Sequence, residues 1–158
     1  IKFVRTEYTG WMHGDLQQKP SVLLNAKEMI FSKTNQETRQ NLAFKGYRTG
    51  RALFENFFTA GVAILSSLLF FDLYWDIAGQ PNIFKTSSLK FLDNAPDDHN
   101  FEFYVYIQFL RNHGTFKRFE APFLKRKFGI SSWDKGFLSK VKHAKSVFRY
   151  ILKLRFKN

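Results

Sequence analysis

The sequence predicts a mainly α chain: a single transmembrane helix with small helical and irregular flanks, held in an extended conformation by partner subunits. Three observations carry that expectation. Residues 52–75, ALFENFFTAGVAILSSLLFFDLYW, hold no charge between Asn56 and Phe71. As a helix the full stretch spans roughly 36 Å and its charge-free part roughly 24 Å. A bilayer's hydrocarbon core is ~30 Å thick, so Glu55 and Asp72 would fall near its two faces. With this segment used for the span, the two flanks are small and marginal without partners. The chain is also strongly basic, +12 from 25 Lys and Arg against 13 Asp and Glu, which calls for an anionic partner. The competing reading of residues 52–75 is a helix buried in the core of a soluble domain.

By length the 158 residues make one domain. They divide into an N-terminal flank (1–51), the span (52–78) and a C-terminal flank (79–158). There is no cysteine, which excludes disulfides, thiolate metal sites and a thiol nucleophile. Twenty phenylalanines suit lipid contact and flat apolar interfaces. The start at Ile1 fits either a removed organellar presequence or a numbering that begins inside a longer chain.

In the first flank, IKFVRTEY reads as a short extended piece, and residues 9–22 as a loop broken by Gly10, Gly14 and Pro20. Residues 21–33 suit a short helix. Thr34 and Glu37 have capping-box spacing, so a further helix is expected from Asn35 to Tyr47. Gly46 and Gly50 then read as a hinge before the membrane.

On a helical wheel Ala52, Asn56, Thr59, Ala63, Ser66 and Ser67 share one face of the span. Small, weakly polar side chains let a partner helix approach closely. Phe57, Ile64, Leu65 and Leu68 lie opposite and suit lipid. Arg51, Asp72, Tyr74, Trp75 and Asp76 read as charged and aromatic anchors at the two interfaces. Asp72 and Asp76 repel each other at a helix C-terminus, so a cation from a neighbouring subunit, or Lys85, is expected to meet them. Arg39, Lys45, Arg48 and Arg51 precede the span closely, which puts the N-terminus on the matrix or cytoplasmic side.

After Gly79 and Pro81, residues 83–96 read as loop with one helical turn near Ser87. Residues 101–109 alternate as a strand does, yet Pro96, Asp97 and Asp98 before them and Arg111 to Gly114 after them are helix start and stop signals. Helix is the choice. Residues 115–130 interleave Phe116, Phe119, Phe123 and Phe128 with Lys117, Arg118, Lys125, Arg126 and Lys127. That mixture suits single-stranded nucleic acid and a lipid headgroup layer alike. A last amphipathic helix should run from Ser131 or Ser132 to about Phe156. Phe137, Val141, Ala144, Phe148, Ile151 and Leu152 line one side. Lys135, Lys142, Lys145, Arg149 and Lys153 line the other and suit anionic lipid or another polyanion.

The functional expectation is a non-catalytic accessory subunit of an integral-membrane complex. Its expected home is the mitochondrial inner membrane, in a respiratory-chain complex or ATP synthase, as a single-pass protein. Its partners would be other subunits and membrane lipids, anionic ones such as cardiolipin among them. The alternative is a soluble basic RNA-binding protein of an organellar ribosome or other ribonucleoprotein. His13, His99, His113 and His143 are scattered, and no H-E-x-x-H, G-x-S-x-G, Walker A or Rossmann pattern is present. No enzyme activity, cofactor or metal is therefore expected. His13-x-Asp15 reads as loop, and Asp97-Asp98-His99 as a helix cap.

Overall fold

Residues 42–49, LAFKGYRT, alternate Leu42, Phe44 and Gly46 with Ala43, Lys45 and Tyr47, and such a run fits the inside of a sheet once the lysine is paired. The computed structural model of the protein, described for residues 3–32, 41–50, 53–71, 73–126 and 137–156, places them there. Strand β2 (Leu42–Thr49) lies between β3 (Asn82–Lys85) and β4 (Thr115–Pro122), and β1 (Tyr8–Trp11) pairs with the other side of β3. The order β1-β3-β2-β4 gives a mixed sheet: β1/β3 and β3/β2 are antiparallel, while β2/β4 run parallel with Leu42 opposite Thr115 and Thr49 opposite Pro122. The chain is thus α/β, not mainly α.

Helix α1 (Val22–Phe31) buries Val22, Ala26 and Ile30, each four residues from the last. They pack with Phe44, Phe119 and Ala121, whose alternate positions on β2 and β4 define one face of the sheet. Helix α3 (Phe101–Arg111) covers the other face. Tyr106 stacks on Phe116 with ring centroids 4.6 Å apart, and Phe109 meets Phe84 edge-on at 5.1 Å. Helix α4 (Phe137–Phe156) joins this second core through Val147, Ile151 and Leu154. Arg111 Nη2 donates to the Leu154 carbonyl at 2.9 Å and ties α3 to α4. Two short 3-10 turns, Thr86–Ser88 and Lys90–Asn94, lead from β3 toward α3.

The predicted span is helix α2 (Leu53–Phe70), of 18 residues, a rise of only ~27 Å. It ends where Phe71 enters the left-handed region, φ 56°. Beyond it the chain folds back: the Ser67 hydroxyl donates to the Ala63 carbonyl at 2.8 Å and accepts from Tyr74 N at 2.9 Å. Phe71 and the residues from Leu73 to Trp75 therefore add no length to the helix. Ala63 and Ser66 are buried by the rest of the chain, and Val62, Leu65, Leu69 and Phe70 pack on its core. Among the described residues no helix is long and apolar enough to cross a membrane. This overturns the single transmembrane helix, and the single-pass placement in the mitochondrial inner membrane that rested on it. The expected extended form held by partner subunits gives way to a sheet whose strands come from both sides of α2. The helix expected up to Tyr47 is strand β2 from Leu42; the capping pair Thr34 and Glu37 lies outside the described residues.

Gly46, read as a hinge, is a close-packing position. A Cβ there would overlap the Gln80 carbonyl and press on Ala121 Cβ, while Gly46 N donates to the Pro81 carbonyl at 2.8 Å. Gly46→Ala should destabilise the fold by about 2–3 kcal/mol through overpacking, read as a lower urea midpoint with an unchanged m-value.

Candidate functional site

Charged side chains on a central strand need partners, because burial without them costs several kcal/mol. Lys45 sits on β2 at 1% exposure. Its Nζ donates to the Gly79 carbonyl and to Asn82 Oδ1, both at 2.6 Å, and lies 5.6 Å from the Tyr106 ring centroid. Burial lowers its pKa to about 8, against the opposing charge of Glu102. Asn82 Nδ2 donates onward to Glu102 Oε2 at 2.9 Å. Trp11 Nε1 and Gln80 Nε2 donate to Glu102 Oε1 at 2.6 and 2.7 Å. This polar layer links β1, β2, β3 and α3.

A second group closes the carboxyl end of the parallel strands. Asp76, expected to need a cation from another subunit or from Lys85, is met by Arg48 of its own chain. Its carboxylate accepts from Arg48 N and Nε, both at 2.9 Å, and from Arg48 Nη2. Burial pushes the Asp76 pKa upward, but the hydrogen bonds and charge of Arg48 outweigh it and hold the group below its ordinary value. Asp76 itself is in the left-handed region, φ 37°. Arg118, on β4 opposite Lys45, donates through Nη2 to the Trp75 carbonyl and to Tyr106 Oη, the latter at 2.9 Å.

These bonds fix the direction of the described side chains in the segment after α2. Tyr74, Asp76 and Ile77 turn inward and are buried. Phe71, Leu73 and Trp75 turn outward at 84%, 90% and 53% exposure. Of the expected anchors, Trp75 is therefore at the surface and Tyr74 is in the core, its ring 5.4 Å from that of Tyr106. Arg51 and Asp72 lie outside the described residues.

The outward segment continues into a mixed surface. Ile64 and Leu68, expected to face lipid, are exposed on α2, whereas Leu65 packs on the core. Ser67 is half-buried beside the buried pair Ala63 and Ser66; Ala52, and the side chains of Asn56, Phe57 and Thr59, lie outside the described residues. Helix α4 touches α2 and leaves Leu138, Val141, Phe148 and Phe156 exposed. Lys142, Lys145, Arg149 and Lys153 are exposed among them, and Lys135 lies outside the described residues. The Arg155 guanidinium sits 5.7 Å from the Phe71 ring centroid, joining the ends of the two helices.

Other sequence candidates resolve into structure. The Asp98 carboxylate accepts from Asn100 N at 2.8 Å and Nδ2 at 2.9 Å at the start of α3, and His99 Nε2 is 3.1 Å from Ser146 Oγ. Among the described residues no three His, Asp or Glu side chains gather as a metal site. Of the rings read as a stacking platform, two turn inward: Phe116 packs on Phe84, Tyr106 and Phe109, and Phe119 is buried under α1. Phe123 is half-buried beside the Arg48 guanidinium, and Phe128 lies outside the described residues. Two open clefts lie apart from Asp76. One, about 470 Å³, is lined by Lys19, Asn25, Glu28 and Leu124; the other, about 350 Å³, by Tyr104, Arg111, Tyr150 and Lys153. Comparison with models of protein families, with curated proteins and with solved structures finds no match to this chain.

The Arg48–Asp76 pair generates a prediction with a sign. A carboxyl whose pKa is lowered on folding contributes stability above its unfolded value, near 3.8, and loses it as pH falls through the folded value. Asp76→Asn should cost roughly 3–5 kcal/mol at neutral pH by leaving Arg48 buried and unpaired. Its urea midpoint should also fall less steeply than wild type on acidification below pH 4.

Proposed function

We propose that this chain docks on an anionic lipid surface as a peripheral domain, through the outer side of α2 and α4. Nothing crosses the hydrocarbon core in this reading. The observation that carries it is the solvent side of α4, where Lys142, Lys145, Arg149 and Lys153 alternate with the exposed Leu138, Val141 and Phe148, and where no acidic residue occurs between positions 135 and 158. A helix of that composition lies in an interface with its apolar groups at the acyl boundary and its cations at phosphates.

Magnitude favours both components acting together. Four cations near an anionic surface supply roughly 4 kcal/mol, which alone is only millimolar affinity. Each fully buried Leu or Phe adds about 1.5–3 kcal/mol. Chemistry favours lipid over RNA. Ile64, Leu68, Leu73, Leu138 and Val141 are aliphatic, offer no face for a base to stack on, and outnumber the exposed rings Phe71, Trp75, Phe148 and Phe156 on that side. The phenylalanines of β4 that could stack are in the core.

Flotation with vesicles tests the docking. Binding to phosphatidylserine-containing vesicles, weak on pure phosphatidylcholine and reduced by high salt, is the expected result. Reversing Lys142, Lys145 and Arg149 to Glu should lower partitioning at least about tenfold. Capture of single-stranded RNA with no vesicle binding would favour the ribonucleoprotein reading instead.

One observation favours a second reading. Asp76 is a buried, ionised carboxylate in a left-handed backbone conformation at the carboxyl end of the parallel pair β2/β4. Open α/β sheets take their ligands at that end, and strained backbone concentrates at working sites. The domain would then form part of a ligand-binding or catalytic unit, with Arg118, whose buried Nη1 has no partner among the described residues, suited to an anionic group. Titration with inorganic phosphate reads it directly. A saturable rise of about 2–4 °C or more in the thermal midpoint supports a ligand site, and a flat response counts against it.

A further inference from the structure

We infer that the turn after α2 is a wedge that enters the headgroup layer, with Phe71, Leu73 and Trp75 as its inserted side chains. The inference rests on the docking reading and adds how the surface is engaged. Among the described residues, three large exposed apolar groups follow one another at alternate positions, and the inward Tyr74 and Asp76 and the Trp75 backbone are anchored. Tyr74 N bonds to Ser67 Oγ. The Trp75 carbonyl accepts from Arg118. Asp76 is held by Arg48. An unanchored turn of this composition would fold its apolar groups onto the nearest core to remove them from water; here the inward bonds hold them outward. Their direction is thus set before any partner arrives, which reduces the ordering cost of binding.

The occupant follows from what adjoins the wedge. Arg155 lies over the Phe71 ring, and the exposed cations of α4 continue from it. Anionic headgroups answer those cations while the apolar tips pass between them. Trp is the side chain most at home at that depth, with an apolar body and a polar edge. The carboxylate that the sequence places at Asp72 sets a limit, since a charge among acyl chains is costly. The wedge therefore belongs at headgroup depth, not at the bilayer centre.

The chain has no cysteine, so a single Leu73→Cys carries a polarity-sensitive fluorophore without further changes. A second label at Leu24→Cys, exposed on α1 on the opposite side of the sheet, is the control. With phosphatidylserine/phosphatidylcholine vesicles, the label at 73 should brighten and shift to the blue. It should be quenched more by lipids spin-labelled at the headgroup than by those labelled at the tail end, and the label at 24 should not respond. Vesicle-bound protein whose label at 73 stays open to aqueous iodide would overturn the wedge and leave the docking reading standing. Absence of vesicle binding would overturn both. A double variant, Leu73→Glu with Trp75→Glu, should keep its urea midpoint and its binding to heparin, which needs only the cations, while vesicle partitioning falls about tenfold or more. Equal vesicle partitioning by this variant and wild type would also overturn the wedge.

Discussion

Arg48 gives Asp76 three hydrogen bonds, in a place where neither charge could stand alone. A carboxylate and a guanidinium removed from water lose several kcal/mol of hydration apiece. Three donors from one residue to one carboxylate recover that loss, and they do so only if the chain after α2 turns back to reach the end of β2. That requirement shapes the middle of the molecule. It stops α2 at Phe70, puts Asp76 in a backbone conformation few L-residues adopt, and seats Gly79 and Gln80 against Gly46.

The polar layer around Lys45 works by the same logic one residue pair deeper. Lys45, Asn82 and Glu102 satisfy one another and recruit Trp11 and Gln80. A slip of one residue between β2 and β3 would turn Lys45 onto the α1 side of the sheet, beside Phe119 and Ile83, with no acceptor to meet it. The network therefore fixes strand register more than it adds net stability. The outer side of α2 and α4 is where apolar and basic groups meet solvent together.

Local signals in the chain were readable to very different degrees. Helix α3 is framed by Asp98 and Gly114, but neither acts quite as read. Asp98 bonds Asn100 N in the turn before the helix, whose N-cap Asn100 makes no side-chain cap bond. At the other end His113 takes the left-handed conformation, and Gly114 fits under the Phe109 ring where a Cβ would not. The alternation of Phe101 to Phe109, which argued for a strand, exists because the helix buries side chains on most of its circumference. Strand β2 was hidden by Lys45 and Gly46. A lysine and a glycine lower any strand score, yet one is the hub of a buried network and the other a point of close backbone approach. Phe116 and Phe119 looked like one basic-aromatic surface with Lys117 and Arg118. On a strand with both faces covered, they fall instead into two separate cores.

The sequence by itself determined charge and local tendency: the +12 excess, the run from 135 onward without an acid, the absence of cysteine, and the helical character of residues 53–70, 101–111 and 137–156. These follow from composition and from periods a few residues long. Tertiary structure alone decided which side of α2 is covered, that Asp76 belongs to Arg48, and that Leu73 and Trp75 face outward while Tyr74 does not. The reason is physical. Burial and ion pairing are properties of two surfaces that meet, and Arg48 meets Asp76 from 28 positions away in the chain. A hydropathy run records how much an apolar segment gains by leaving water, and says nothing of whether lipid or the protein's own core receives it.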